Sequence, residues 1–185
     1  MKRLSFILQY ILKPKTVGAI LPSSTYLANR MMEGIDFHNA RYIVEYGPGT
    51  GVFTDKLLKR RTKDTLIILL EYNHEFYLTL KEKYKNEENL YIINDSAENI
   101  DIHLKKHDIP YVDYVISGLP FASLPEKVSS EILAKTKLVL RKGGKFTTFQ
   151  YTLFKKDFIS MFFKNIHIER ELINMPPAYV FICKH

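Results

Sequence analysis

Three glycines within five residues separate an apolar, strand-like segment from a helical one. Gly47, Gly49 and Gly51 follow the segment 42–46 and precede the helical pattern 52–60. Glycines at alternate positions permit a tight turn and a close approach between the backbone and a ligand. The first turn of the helix adds backbone N–H groups that have no partner inside the helix. A strand, a glycine turn and a helix in this order predict the first crossover unit of a parallel sheet.

The rest of the chain repeats the alternation of strands and helices. Further strands are predicted at 66–70, 90–93, 112–116 and 145–150, and further helices at 75–85 and 126–140. The segments 166–172 and 178–183 are both strand-like and are separated only by a short proline-containing turn, so they should pair antiparallel. We therefore predict an α/β fold, with a doubly wound, seven-stranded, mostly parallel, Rossmann-like sheet that ends in an antiparallel hairpin.

The spacing of the glycine turn indicates what it binds. Dinucleotide sites use G-x-G-x-x-G, and phosphate loops require Gly-Lys-Ser/Thr, whereas this turn reads G-x-G-x-G and follows Glu45. A carboxylate beside the turn suits a cationic ligand better than a diphosphate. The ammonium and sulfonium groups of S-adenosylmethionine match that requirement.

Polar residues also stand at the ends of the next two strands. Glu71 ends the second strand, where an acid accepts hydrogen bonds from ribose hydroxyls in doubly wound sheets, and Tyr72 follows it. Asp95 lies at the end of the third strand and is followed by Ser96 and Ala97. Any one of these acids alone is usually a solvated or capping residue. Their order on successive strands favours one shared crevice.

These residues, together with Ser117 to Phe121, resemble class I S-adenosylmethionine-dependent methyltransferases over residues 40–150. The resemblance implies that the glycine turn holds the amino acid part of the cofactor, that Glu71 holds ribose and that Asp95 contacts adenine. The cofactor-binding residues expected on this basis are Glu45, Gly47, Gly49, Thr50, Gly51, Glu71, Tyr72, Asp95, Ser96, Ala97 and Ser117.

The segment after the fourth strand, Ser117-Gly118-Leu119-Pro120-Phe121, resembles the Asn-Leu-Pro-Tyr/Phe motif of ribosomal RNA adenine dimethylases. In that family the Asn side chain and the carbonyl before proline hold the amine, and the aromatic ring stacks on the base. Here Gly118 occupies the Asn position and has no side chain to hold an amine. This departure argues against adenine as the acceptor.

A second resemblance covers nearly the whole chain. The stretch Lys15 to Ser24, followed by Leu27-Ala28, is similar to bacterial phospholipid N-methyltransferases, as are Gly118 to Phe121 and Pro176 to Val180. This resemblance implies methylation of the amine of phosphatidylethanolamine. The candidate catalytic groups are the Leu119 carbonyl, the Phe121 ring, and the hydroxyls of Tyr26 and Tyr151. Each of the two tyrosines also has a plain alternative role in packing.

Composition and charge limit the partners. The formal net charge of +7 favours an anionic partner, either nucleic acid or acidic lipid. An apolar helical face at 3–12 is flanked by Lys2, Arg3, Lys13 and Lys15, so this segment is expected either to lie on an anionic membrane surface or to cover the cofactor cleft. No apolar run is long enough to span a bilayer.

The domain organisation and compartment follow from length and cysteine content. The 185 residues predict a single methyltransferase domain, with residues 1–35 as an N-terminal helical cap or membrane-facing segment. The lone Cys183 indicates a cytoplasmic protein without a disulfide. His103 and His107 have helical spacing but no third ligand, so no metal is predicted. An RNA adenine N6-methyltransferase, a small-molecule amine methyltransferase and a non-catalytic cofactor-binding protein remain alternatives.

Overall fold

The computed structural model describes residues 25–174 and 176–185. Seven strands form one sheet: β1 (Tyr42–Tyr46), β2 (Leu66–Leu70), β3 (Leu90–Ile93), β4 (Val112–Ser117), β5 (Leu140–Gln150), β6 (Asn165–Glu171) and β7 (Ala178–Lys184). The helices are α1 (Thr25–Met31), α2 (Val52–Arg60), α3 (His74–Lys83), α4 (Ile100–Lys106), α5 (Glu126–Val139) and α6 (Lys156–Ser160), with a 3₁₀ turn at Ala97–Asn99. The predictions for 3–12 and for Lys15 to Ser24 lie outside the described residues.

The strand order is β3-β2-β1-β4-β5-β7-β6. The first five strands of the chain pair in parallel, and β7 enters antiparallel between β5 and β6. The predicted α/β fold, with its antiparallel hairpin at one end, is confirmed. Because β1 to β5 run in one direction, the loops that follow them all emerge at a single edge of the sheet, the carboxyl edge.

The strands are apolar on both faces because helices cover both. Val44 and Ile68 face one core, to which α5 contributes Ile132 and Leu133. Ile43 and Ile67 face the other core, which contains α1 and α2. Side chains alternate between faces along a strand, so Glu45 shares a face with Ile43 and lies beneath α2. A carboxylate is thereby buried between a sheet and a helix.

Several elements of the structure differ from the prediction. β5 begins at Leu140 instead of 145, because a register shift against β4 lets the glycine pair Gly143-Gly144 remain within the strand. The 3₁₀ turn with α4, and the five-residue α6, were not predicted, since such short helices show little periodicity. α3 begins at His74 because the Asn73 side chain caps it by accepting from the backbone N–H groups of Glu75 and Phe76.

Candidate functional site

Three loops leave the carboxyl edge side by side. The sheet ladder continues one residue past the strands: Gly47 N donates to Leu70 O at 2.9 Å, Gly118 N to Tyr46 O at 2.9 Å, and Glu71 N to Ile93 O at 3.0 Å. These bonds fix the glycine turn between Glu71 on one side and Gly118 on the other. The ends of β1, β2 and β4 therefore lie side by side, as the parallel order predicts, and their sharing of one cofactor crevice stays a prediction.

The glycine turn needs its glycines for two reasons. Gly47, Gly49 and Gly51 have φ values of 63°, 56° and 86°, a conformation that L side chains rarely adopt. A Cβ atom at Gly47 would meet Leu119, and one at Gly51 would meet Tyr84, but one at Gly49 would meet no atom within 4 Å. The backbone at Gly49 is thus open on its outer side, where a ligand can approach it closely.

Glu71 joins the glycine turn to the end of β2. Its Oε2 accepts from Gly49 N at 3.0 Å, and its Oε1 accepts from Asn73 N at 2.8 Å. Burial raises the pKa of this carboxyl, and the two backbone N–H donors offset part of that shift. Each carboxylate oxygen has a second lone pair, so Glu71 can still accept from ribose hydroxyls while it holds the turn in place.

Glu45 is fully buried and only half satisfied. Its Oε2 accepts from Thr54 Oγ1 at 2.7 Å, whereas Oε1 has no hydrogen-bond partner among the described residues. The pKa of Glu45 is raised to about 8, chiefly by burial and to a smaller extent by the nearby carboxylates of Glu71 and Asp55, while the hydrogen bond from Thr54 opposes the shift. A buried acid with one unpartnered oxygen, beside an open glycine turn, fits the positively charged end of S-adenosylmethionine, because a cation there would favour the ionised form of Glu45.

The third strand end is held by the protein itself. Asp95 Oδ1 accepts from Ser96 N at 2.7 Å and from Asn99 Nδ2 at 3.0 Å, and Oδ2 lies 2.8 Å from His103 Nε2. Burial raises the pKa of Asp95, but these hydrogen bonds outweigh it and hold the pKa below its usual value. The Asp95 side chain remains about one third exposed. Its contact with adenine stays a prediction.

The neighbours of these acids differ in how far they face solvent. The Tyr72 ring is more than half exposed just beyond Glu71. Ser96 caps the 3₁₀ turn by accepting from Glu98 N, and Ala97 is buried behind it. These positions permit Tyr72 to lie against a base, while Ser96 and Ala97 have evident structural roles.

The segment after β4 is closed by internal bonds. The buried Ser117 Oγ accepts from Leu119 N at 3.2 Å. The Leu119 carbonyl accepts from Phe121 N at 3.1 Å and from Gln150 Nε2 at 3.2 Å, so both of its lone pairs are used within the protein. The expectation that this carbonyl is free to accept protons from the acceptor amine does not hold for this structure.

The Phe121 ring does not lie at the exposed acceptor site that the motif implied. Its side chain is fully buried and meets the Phe146 ring edge-on at 6.1 Å between centroids. A ring in that position packs the core and has no exposed face for an acceptor, which corrects the stacking role expected from the resemblance. Tyr26 is exposed on α1, and Tyr151, directly after β5, packs against Phe149.

Sequence reasoning missed two residues that position this site. Gln150, the last residue of β5, donates to the Leu119 carbonyl and accepts from Ala122 N at 3.3 Å. Thr54, in the first turn of α2, holds Glu45. The contact of Thr54 with Glu45 could have been predicted, because a spacing of nine residues places both on one βα unit. The contacts of Gln150 could not, since its partners lie about thirty residues away in sequence.

Two features concern the described residues as a whole. Across 25–174 and 176–185, no three His, Cys, Asp or Glu side chains gather as a metal site. Within the same ranges, no helix is both long and apolar enough to cross a bilayer.

The sequence is similar to known methyltransferases. Residues 6–167 match the family model for ribosomal RNA adenine dimethylase. The ornithine lipid N-methyltransferase of Singulisphaera acidiphila is 29% identical over 91% of this chain and 88% of its own length. The ribosomal RNA small subunit methyltransferase A of Mycoplasma capricolum is 32% identical, over 66% of this chain and 43% of its own length.

Solved structures share the fold at low sequence identity. The precorrin-6y C5,15-methyltransferase of Geobacter metallireducens superposes with a TM-score of 0.71 at 15% identity, over 90% of this chain and 92% of that one. The O-methyltransferase of Bacillus cereus in complex with SAH gives a TM-score of 0.68 at 10% identity, over all of this chain and 91% of that one. Since the family model covers most of its length, this chain belongs to the ribosomal RNA adenine dimethylase family and is an S-adenosylmethionine-dependent methyltransferase.

Proposed function

We propose that this enzyme methylates the amine of a membrane lipid headgroup, phosphatidylethanolamine or a related aminolipid such as ornithine lipid. The observation that carries the proposal is the packing of Gly118 against the glycine turn. A Cβ atom at Gly118 would lie 2.8 Å from the carbonyl oxygen of Gly47, a contact with backbone that no side chain can relieve by rotating.

This packing bears directly on the acceptor. The Asn-Leu-Pro-Tyr/Phe motif implies an Asn amide that holds adenine, and the position of that Asn is the one occupied by Gly118. The preceding hydroxyl, Ser117 Oγ, is buried and already bonded to Leu119 N. The Leu119 carbonyl is bonded to Phe121 N and Gln150 Nε2, and the Phe121 ring is buried, so this segment presents none of the three groups that hold adenine in the motif. An amine on a flexible headgroup makes fewer demands of this kind.

The lengths of the relatives support the same choice. The chain matches 88% of the ornithine lipid enzyme but less than half of the ribosomal RNA enzyme of Mycoplasma capricolum. An activity that depends on that enzyme's whole length therefore does not transfer to this chain directly. A peripheral position on the inner face of the membrane belongs to this proposal, because a cytoplasmic enzyme would meet a membrane lipid at that face.

The chemistry assigns different tasks to the two sides of the site. Glu45, the glycine turn and Glu71 would hold the cofactor, with Tyr72 and Asp95 as the proposed contacts of adenine. The cofactor supplies a methyl group on a sulfonium, which is a good leaving group. The protein has to present a neutral amine in line with that methyl group. We assign the hydroxyls of Tyr26 and Tyr151 to orienting the neutral amine by hydrogen bonds. The amine nitrogen bonds to the methyl carbon as the bond from that carbon to sulfur breaks, and the proton that the resulting ammonium releases passes to solvent water.

A direct assay separates the acceptors. Purified protein is incubated with methyl-labelled S-adenosylmethionine and, separately, with phosphatidylethanolamine vesicles, ornithine lipid vesicles, or unmethylated small-subunit ribosomal RNA. Label in the lipid fraction, absent from the Glu71→Ala variant, is the expected result. Label in the N6 position of adenine alone would overturn the proposal.

The RNA reading is the second candidate. The family match and the net charge of +7 favour it. It predicts transfer to RNA that falls steeply with salt, because phosphate contacts release counterions. Cofactor binding with no transfer to any of the three acceptors would favour the non-catalytic alternative.

A further inference from the structure

Four apolar side chains stand out from two neighbouring loops at the carboxyl edge. Leu153 and Phe154 follow β5, and Leu172 and Ile173 follow β6; we call these four the apolar rim. Phe154 is 79% exposed, and Leu172 and Ile173 are each 63% exposed. Exposed single apolar residues are ordinary, but a group of this size on adjacent loops indicates a binding surface.

The topology of the sheet brings the two loops together. Gln150 of β5 pairs with Tyr179 of β7, and Tyr179 pairs with Arg170 of β6. Neighbouring strands lie about 5 Å apart, so the ends of β5 and β6 are separated by roughly 10 Å. The two loops therefore leave the same edge as the glycine turn, on the side of the sheet beyond Gly118.

The turn after β6 is built to hold its apolar residues outward. Glu171 and Asn174 are both buried, whereas the two apolar residues between them are exposed. Glu171 Oε1 accepts from Ile173 N at 2.9 Å, and Asn174 Nδ2 donates to Pro176 O at 2.7 Å. Folding alone favours the reverse arrangement, with polar groups outside. The inversion is fixed by hydrogen bonds, so the exposure of Leu172 and Ile173 is a defined feature of the turn.

Cations accompany the apolar rim. Lys155 Nζ lies 5.6 Å from the Phe154 ring and 4.7 Å from the Phe158 ring, and Lys156 beside it is exposed. The acids at this end of β6, Glu169 and Glu171, are both paired with Arg30, at 3.0 and 3.7 Å. The exposed Asp157 partly offsets the two lysines. Arg30 is a single cation shared by two acids, so the six charged groups named here sum to zero, and the positive charge of this surface is confined to Lys155 and Lys156 beside the Phe154 ring.

We propose that the apolar rim and Lys155-Lys156 bind the surface of an anionic lipid bilayer and so bring the crevice to its acceptor. This inference rests on the proposed lipid acceptor and adds the surface that meets the membrane. Apolar side chains enter the boundary between headgroups and acyl chains, and lysines bind lipid phosphates. Leu153, Leu172 and Ile173 offer no planar face for stacking on RNA bases, and the one aromatic ring of the rim, Phe154, has Lys155 Nζ 5.6 Å from its centroid. The formal net charge of +7 on the whole chain disfavours a second copy of this chain as the occupant.

Vesicle flotation of the full chain tests the proposal without requiring turnover. The double variant Leu172→Ser with Ile173→Ser is compared with Leu138→Ser, which removes a side chain that is 72% exposed near the opposite edge, where α5 leads into β5. We expect the double variant to bind vesicles containing phosphatidylglycerol about tenfold or more weakly, and the control to bind like the wild type. Lys156→Gln should weaken binding several-fold at low salt only, whereas Lys137→Gln should not.

The outcomes separate this inference from the proposed function. If the double variant and the control bind vesicles equally well, the apolar rim is not the membrane-binding surface, even if the enzyme methylates lipid. Vesicle binding that depends on the rim, without methyl transfer to any lipid, overturns the proposed function but supports the apolar rim as a membrane-binding surface. Loss of RNA binding in place of vesicle binding identifies a nucleic-acid surface and overturns the proposal. Rim-dependent vesicle binding that appears only after deletion of residues 1–24, and that the double substitution then removes, assigns that segment as the occupant of the rim in the full chain and overturns the proposal.

Discussion

The two halves of the carboxyl edge are built on opposite principles. In the cofactor half, formed by β1, β2 and β3, buried acids are fixed by short hydrogen bonds to backbone and side chains, as in the bond from Gly49 N to Glu71. In the acceptor half, formed by β4 to β7, the aromatic residue of the expected motif is buried and aliphatic residues of the loops are exposed. One half buries polar groups, and the other exposes apolar ones.

This contrast indicates what each half recognises. A small cationic cofactor requires a fixed set of acceptors in a defined backbone frame, which the glycine turn and its acids provide. A lipid acceptor arrives in a surface, so the acceptor half needs an exposed apolar rim more than a gripping pocket. The following tests are ordered from the largest expected effect to the smallest, and each can break or sharpen this division.

The largest effect is expected from Phe121→Ala. The ring is fully buried against Phe146, so truncation should lower the free energy of unfolding by about 3–5 kcal/mol. Phe154→Ala, at an exposed phenylalanine of the same half, should change it by less than about 0.5 kcal/mol. Chemical denaturation measures both. Unchanged stability with lost turnover would show that the Phe121 ring contacts the acceptor, and the contrast between the halves would fail.

The sequence predicted the cofactor half well because its signals are local. The ends of β1, β2 and β3 agree with the prediction to the residue, and Glu45, Gly49 and Glu71 lie together as expected. Each of these positions is set by its own strand end. The bond from His103 to Asp95 was not predicted, because it depends on an unpredicted 3₁₀ turn and short helix.

The acceptor half was predicted less well because its contacts are distant in sequence. The motif around Phe121 reads the same whether its ring faces solvent or the core. Only the packing against Phe146, which the local sequence does not reveal, places the ring in the core. The same holds for Gln150, whose partner Leu119 is 31 residues away. Hydrophobic pattern alone would also bury Leu172 and Ile173, which the turn exposes by burying Glu171 and Asn174.

The second test uses the pH dependence of stability in the cofactor half. The pKa of Glu45 is raised to about 8 in the folded protein from 4.5, so the folded state binds the extra proton. Its contribution therefore favours folding at low pH and is lost as pH rises from about 5 through 8, on the order of 2–4 kcal/mol. In Glu45→Gln this dependence should vanish.

Denaturation of wild type and Glu45→Gln at several pH values checks this sign. The difference in unfolding free energy, wild type minus variant, should fall steadily as pH rises. A difference that does not change with pH would mean that Glu45 is solvated or paired, and the buried, half-satisfied carboxylate of the cofactor half would be wrong.

The third test removes the residue that links the glycine turn to β2. Glu71→Ala should weaken S-adenosylmethionine binding by about 1.5–3 kcal/mol, since it deletes a charged acceptor and releases Gly49 N. Glu131→Ala, an exposed acid on α5, is the matched control and should bind normally. Calorimetric titration measures both affinities. Equal affinity in the two variants would remove the cofactor half from the site.

The smallest effect is expected from Tyr151→Phe in the acceptor half. The substitution keeps the ring that packs against Phe149 and removes only the hydroxyl proposed to orient the amine. Turnover on lipid should fall by about tenfold or less, which corresponds to at most about 1.4 kcal/mol of transition-state stabilisation. The affinity for S-adenosylmethionine should stay unchanged.

Tyr91→Phe on β3, at the other end of the sheet, controls for the loss of a hydroxyl elsewhere. Steady-state rates at saturating cofactor, beside calorimetric affinities, separate the two quantities. A parallel loss of turnover and cofactor affinity would place Tyr151 in the cofactor half, and the boundary between the halves would then have to be drawn beyond β5.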